Sequence, residues 1–318
     1  MKQNERKKRR SILDTGFSNN AENEGSRLIN KDGSFNVKKS GLFFMERFSV
    51  FHWLIKMSWI RFFLFMFLGY LLINIIFASL YFGAGIEGLS GDHSLTRPDQ
   101  FLEAFYFSSQ TLTTVGFGYL SPISTFHSLL ATFESFIGLM SFAMATGLLY
   151  GKFSKPKSGI IYSKNALIAP YKGDGKGLMI RLANAKENHL LNVKANMMIS
   201  WIDKNLESSS RKYYALPLEI AMINMLPASW TIVHPIIEES PLFNLTYDEL
   251  SNSEAEVILQ LEAYDETYSQ HVHTRTSYKY HEIVWGAKFI PILGHEGSYA
   301  TLKMDDIGRY EKLDFKAE

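Results

Sequence analysis

The chain has 318 residues, a formal net charge of +1, a mean hydropathy near zero and no cysteine. The missing cysteine excludes a disulfide framework and a thiolate metal site, and the short basic stretch Lys7 to Arg10 lacks the aromatic residues that would argue for nucleic acid. These averages fit an ordinary soluble chain of one or two domains, yet they hide a sharp division along the sequence.

Residues 1–40 are rich in Lys, Arg, Asn, Ser and Glu and poor in large apolar groups, which predicts a mostly flexible tail, with any ordered piece near Leu28 to Val37. Residues 41–57 mix Phe44, Phe48, Phe51, Trp53 and Leu54 with Glu46, Arg47, His52 and Lys56, the pattern of an interfacial helix lying along a membrane surface. A transmembrane pore domain is then expected over 58–155. Its outer helix, 58–82, carries Arg61 as its one formal charge and exceeds the roughly 20 residues that cross a hydrocarbon core. A short helix over 98–112 begins with Pro98 and Asp99 and repeats Phe101, Leu102, Phe105 and Tyr106 at helical spacing; it is too short to span. An inner helix over 122–153 has Glu134 as its one charge before Lys152.

Between the short helix and the inner helix lies Thr111-Leu-Thr-Thr-Val-Gly-Phe-Gly118, with 113–118 as the candidate filter. It reads as a potassium selectivity filter, whose established chemistry is that of four TVGYG loops with backbone carbonyls replacing the hydration shell of the ion. Thr114, Val115, Gly116, Phe117 and Gly118 suit that task because Gly116 and Gly118 take positive φ freely, and the Thr114 hydroxyl adds one more oxygen for a hard cation. A bare T-V-G-x-G is more often a turn. Here a short helix followed by Gly-rich backbone lies between two spans, an arrangement tolerated at membrane depth only where it is buried in protein or lines water.

After Pro156 the pattern changes to short β-prone runs: Leu178 to Leu182, Val193 to Ile202, Ser229 to Val233, Glu256 to Leu261 and His281 to Pro291. Gly173-Asp-Gly-Lys-Gly177 lacks phosphate-loop spacing and reads as a hairpin turn, and Thr246 to Ser251 reads as one short capped helix. The fold class is therefore a membrane α + β chain: a pore domain followed by a β-sandwich over 156–318. The basic run Lys7 to Arg10, Lys38, Lys39, Lys152, Lys155 and Lys157 lie on one side of a two-span protein, so both termini are expected in the cytoplasm of an inner or plasma membrane protein.

Several residues carry two readings. Glu134, an ionisable group in a span, is either a filter or cavity residue or a satisfied structural carboxylate. Phe142, Thr146 and Tyr150 share one helical face, which either lines a pore closed at Tyr150 or packs on the first span. Gly138 and Gly147 serve as hinges or as close-packing positions. Arg61, Lys152, Lys155 and Lys157 bind anionic headgroups or simply obey the positive-inside rule. His271-Val-His273 has no third ligand at suitable spacing and reads as strand alternation or solvated surface, with K⁺ the one metal expected.

The chain resembles the inward-rectifier potassium channels, most closely their prokaryotic branch, from about Leu28 to Ile292. Beside the filter, the resemblance rests on Gly147-Leu-Leu-Tyr-Gly-Lys-Phe-Ser-Lys-Pro-Lys157, Tyr162 to Ala169, Ser229-Trp-Thr-Ile-Val-His-Pro-Ile236, Glu238 to Leu242, Thr276-Ser-Tyr278 and Glu282-Ile-Val-Trp-Gly286. It implies a non-enzymatic homotetramer with an immunoglobulin-like cytoplasmic domain, no cofactor, permeant K⁺, Ba²⁺ block and regulation by anionic lipid, phosphoinositides included. It also places Asp265, Glu266, Tyr268 and His271 in the loop that narrows the cytoplasmic pore. This chain departs from the family in four places. Phe142 replaces the acid of animal relatives, which implies weak rectification; Gln110 and Leu120 replace an acid and a cation flanking the filter; Ser158 and Gly159 shorten the basic run; and Phe117 replaces Tyr. The rival functions are a weakly selective cation channel and a non-conducting membrane-tethered sensor.

Overall fold

The computed structural model describes residues 27–37, 41, 49–91, 93, 96–155, 158–203, 210–226, 228–296 and 299–313. The basic run Lys7 to Arg10, Lys38, Lys39, most of the 41–48 stretch and Lys157 lie outside them. The chain divides into two compact units: one holds the segment before residue 40 together with everything from 156 on, the other holds 40–155.

The helical unit begins with α1, Val50–Lys56, capped by the Ser49 hydroxyl, which accepts the His52 N–H. Helix α2, Trp59–Ala84, runs two residues beyond the expected 58–82 and stops at Gly85, whose φ of 100° favours glycine. Helix α3, Arg97–Leu112, starts one residue before the expected 98–112. Helix α4, Thr125–Phe153, starts three residues later than the expected 122, because Pro122 pairs with Leu89 and Ser124 caps the helix by accepting the His127 N–H. At about 1.5 Å per residue both α2 and α4 exceed a 30 Å hydrocarbon core. They bury only 17% of their most apolar windows, and side chains such as Ile60 remain 82% exposed, as lipid-facing or subunit-facing helices do and soluble core helices do not.

The β-rich unit is a sandwich. One sheet contains β1 (Ile160–Tyr162), β2 (Ala166–Pro170), β3 (Lys176–Asn184), β7 (Ser229–Ile236) and β10 (Ile283–Trp285); the other contains β4 (Leu190–Asp203), β5 (Ser210–Ala215), β6 (Met222–Met225), β8 (Glu256–Asp265) and β9 (Gln270–Lys279). In the first, β3 carries β1 and β2 in succession on one edge and β7 on the other. In the second, β5 and β6 share one edge of β4. Alternate residues Leu178, Ile180 and Leu182 of β3 face Ala195, Met197 and Ile199 of β4 and Val257, Leu259 and Leu261 of β8 in a common core. Asn192, at φ 49°, sits at a bulge in β4, where its short amide tolerates the left-handed region. The expected strand His281 to Pro291 is broken. A 3-10 turn covers Tyr280–Glu282, and Gly286 at φ 64° separates β10 from β11 (Ala287–Phe289), which leaves the sheet to pair with β14 (Tyr310–Lys312). β12 (Leu293–Glu296) and β13 (Tyr299–Leu302) form a separate ribbon. The Gly173 to Gly177 stretch closes the β2–β3 hairpin, with the Tyr171 N–H donating to Gly175 O. Helix α5, Tyr247–Asn252, carries a reciprocal capping box between Thr246 and Glu249.

Residues 27–37, the stretch where any ordered piece of the tail was expected, belong to this unit. Ile29 is fully buried, the Leu28 and Ile29 N–H groups donate to the Glu256 carboxylate, and Ser277 Oγ donates to Ile29 O at 2.5 Å. Arg27 and Lys31 both pair with Glu282. Burial alone would raise the Glu282 carboxyl, but hydrogen bonds from Lys31 and the Lys279 N–H, with the charges of Arg27 and Lys31, hold it below the ordinary carboxylate value.

Candidate selectivity filter and gate

Helix α3 ends at Leu112, and its last carbonyls find partners immediately: Thr113 Oγ1 donates to Ser109 O at 2.7 Å, the Val115 N–H to Gln110 O at 2.9 Å and the Thr114 N–H to Thr111 O at 3.1 Å. From there φ is positive at every second residue, 60° at Thr114, 53° at Gly116 and 81° at Gly118. Alternating the sign of φ turns successive peptide carbonyls toward one side of the strand. The glycines take this backbone freely, whereas Thr114 pays on the order of 1–2 kcal/mol for it, a strain held by the helix end beneath. Residues Thr113 to Tyr119 all stand exposed in the single chain, Phe117 at 79%.

The return path is fastened to the end of α2. The Ser90 N–H donates to Ser121 O at 2.7 Å, the Ile123 N–H to Gly88 O at 2.9 Å and the Ser121 N–H to Ser90 Oγ at 2.8 Å. Gly88 is required here, since a Cβ would fall 2.1 Å from the buried His127 ring. His93 bridges this loop to α3, contacting the Glu103 carboxylate at 3.1 Å and Leu89 O at 2.9 Å. Burial works to lower the His93 pKa, but these two partners outweigh it and hold it above the ordinary histidine value.

On α4, Phe142 and Tyr150 are each 74% exposed and Thr146 is exposed beside them, its hydroxyl donating to Phe142 O. Glu134 does not share that face. It is fully buried, accepting Ser108 Oγ from α3 at 2.5 Å and Tyr81 OH from α2 at 2.7 Å, so it is not a pore-lining side chain of this chain. Gly138 is a packing position instead of a free hinge: a Cβ there would lie 2.1 Å from the Leu112 carbonyl oxygen. Gly147 has open space around it.

The candidate lipid cations separate. Arg61 and Lys155 are exposed, whereas Lys152 is buried: its Nζ donates to Met57 O at 2.6 Å and Ile55 O at 3.2 Å and lies about 5 Å over the Trp59 and Phe62 rings. Those carbonyls are the loose C-terminal ends of α1 and its connection to α2, so this cation holds the corner together and is withdrawn from any headgroup. In the β8–β9 hairpin, Glu266, Tyr268 and His271 are exposed, but Asp265 is buried and accepts Asn188 Nδ2 and the Thr267 and Tyr268 N–H groups. It builds the turn and does not face a passage as a free acid. His271 and His273 flank buried Val272 on β9, and no group of three candidate metal ligands occurs among the described residues. Ser108, Asn74, Tyr81 and His127 were not legible as site residues, because a serine, an amide or a tyrosine in an apolar run gives no periodic or motif signal.

Two family models match this chain: the inward rectifier potassium channel C-terminal domain over residues 160–313 and an ion channel domain over 65–155. The inward rectifier potassium channel Kirbac3.1 of Paramagnetospirillum magnetotacticum is 32% identical over 297 residues, covering 90% of this chain and 95% of its own. The ATP-sensitive inward rectifier potassium channel 12 of Gallus gallus is 28% identical over 66% of this chain and 52% of its own length. The G protein-activated inward rectifier potassium channel 2 of Mus musculus is 28% identical over 86% and 69% respectively. This chain therefore spans nearly all of the bacterial relative and about half of the chicken one.

Proposed function

This chain belongs to the inward-rectifier potassium channel family, a family of ion channels and not of enzymes, and from that premise we propose that it forms a homotetrameric, K⁺-selective membrane pore. The observation that carries this reading is the alternation of positive φ at Thr114, Gly116 and Gly118 on an exposed strand. One such strand presents oxygens from one side only, and a dehydrated cation needs them all round, so four copies complete the site. Carbonyls of Thr114 to Gly118 then exchange for water, with no cofactor. The exposed ring position of Tyr150, one turn below Thr146 and two below Phe142, supplies four aromatic side chains that close the inner mouth by excluding water.

Of the candidate lipid cations among the described residues, Arg61 and Lys155 are the exposed ones and meet anionic headgroups, phosphoinositides among them, each contributing about 1 kcal/mol near such a surface. Glu266, Tyr268 and His271 are the exposed groups of the β8–β9 hairpin left to edge a cytoplasmic passage. Both termini lie in the cytoplasm of an inner or plasma membrane. Rectification by Mg²⁺ or polyamines is weak because Phe142 offers no charge on the exposed face. Rubidium tracer uptake into liposomes holding the purified protein tests the proposal. Uptake competed by external K⁺, blocked by Ba²⁺ and indifferent to Na⁺ supports it; an intact tetramer without uptake under any lipid condition favours a non-conducting sensor.

A further inference from the structure

Helix α4 touches α3 at two successive turns. Glu134 and Gly138 are four residues apart, and so are their partners Ser108 and Leu112, which places each pair on one face of its helix. At the first turn the contact is polar. Ser108 has one hydroxyl proton, which it donates to the Glu134 oxygen at 2.5 Å in preference to Asn74 Oδ1 at 3.1 Å, while Tyr81 OH donates to the second carboxylate oxygen. Asn74, Ser108, Glu134 and Tyr81 are all fully buried, so none of these hydrogen bonds can be replaced by water. At the second turn the contact is backbone on backbone, with no room for a Cβ between Gly138 and the Leu112 carbonyl. Leu112 is the last residue of α3, and the left-handed Thr114 that opens the filter is two residues further on.

From this paired register we infer that Glu134, through Ser108, and Gly138, through the Leu112 carbonyl, are positioning residues for ion selectivity. The polar contact fixes the rotation of α3 about its axis, and the backbone contact fixes the height of its C-terminal end. Together they set where the Thr114 to Gly118 carbonyls stand. Within α3 the charged residues Arg97, Asp99 and Glu103 lie in the first half of the helix, and Gln110 near its end is neutral. Helix α4 also carries Phe142, Thr146 and Tyr150, so a movement of α4 at its inner end is transmitted to the filter through these two contacts. This inference rests on the K⁺-channel reading and deepens it.

Reversal potentials of the full-length tetramer in planar bilayers, in mixed K⁺ and Na⁺, give the readout. Ser108→Ala and Glu134→Ala are each expected to lower the K⁺ to Na⁺ permeability ratio by about tenfold, the factor that the loss of one buried hydrogen-bond partner commands. The double variant should fall no further than Glu134→Ala alone, because that substitution already removes the Ser108 contact together with that of Tyr81. Glu134→Gln keeps the size and one acceptor and should retain most of the ratio. Gly138→Ala should lower it by forcing the Leu112 carbonyl aside, with thermal stability of the tetramer followed in parallel. If Glu134→Ala does not assemble, Tyr81→Phe removes a single hydroxyl from the same carboxylate and should give an intermediate loss. Ratios within about twofold of the parent, with only thermal stability reduced, would overturn the inference, as would additive effects. Amide exchange over 110–118 is measured in the same variants and needs no conduction. Faster exchange supports the positioning role, and unchanged exchange contradicts it, even if the parent protein proves to have no preference for K⁺.

Discussion

A single torsion angle separates Gly118 from any other residue. At φ 81° with no atom within 4 Å of an added Cβ, the cost of Gly118→Ala in one chain is conformational and not steric, on the order of 1–2 kcal/mol per subunit. That is enough to turn one carbonyl of each strand, and K⁺-competed rubidium uptake should drop by about tenfold or more while the tetramer still assembles. His234 tests a different environment. Its ring is buried in the sandwich, with Nδ1 2.6 Å from Pro217 O and Nε2 2.7 Å from Ser240 Oγ. Burial pulls its pKa below the ordinary value, against a smaller upward pull from the Pro217 carbonyl. The folded ring is therefore neutral where the unfolded one begins to protonate. Its contribution is complete above about pH 6.5 and is lost as pH falls toward the folded value, by up to roughly 1.4 kcal/mol per unit. Thermal melts of the parent should show that acid loss, and His234→Gln should flatten it; a parallel slope in both proteins would contradict the assignment.

At the scale of elements, Lys152 shows how a cation in a basic cluster becomes part of a joint. Lys152→Ala removes the donor shared by Ile55 O and Met57 O, and should destabilise the α1–α2 corner by about 1.5–3 kcal/mol, as the loss of a charged hydrogen bond does. Its dependence on anionic lipid should remain, whereas Arg61→Ala with Lys155→Ala should lose it; melting and flux in vesicles of graded anionic content separate the two. In the sequence Lys152 looks like its neighbours Lys155 and Lys157, and only the fold distinguishes it. The same holds for Asp265, which reads as an exposed loop acid until Asn188 is found beside it. The elements themselves were legible because each carries a strong local signal: uniform hydropathy in α2 and α4, Pro98 and Asp99 at the head of α3, Thr246 and Glu249 around α5, alternation in β8. Where that signal was mixed the reading failed, as in the broken run His281 to Pro291. The docking of residues 27–37 was hidden because Glu256 and Ser277 lie more than two hundred positions away.

At the scale of the whole molecule, the exposed apolar surface of α2 and α4 and the one-sided filter strand are what the proposed tetrameric membrane pore requires of each of its chains. The family resemblance supplied that from motifs, while the contact between Glu134 and Ser108 came from geometry alone. The central claim is selective K⁺ conduction, and the most direct measurement is the reversal potential of the reconstituted tetramer under opposed K⁺ and Na⁺ gradients. A K⁺-selective pore gives a potential that follows the K⁺ gradient and is unmoved by exchanging Na⁺ for an impermeant cation. A potential near zero that shifts with Na⁺ would contradict it and identify a weakly selective cation channel.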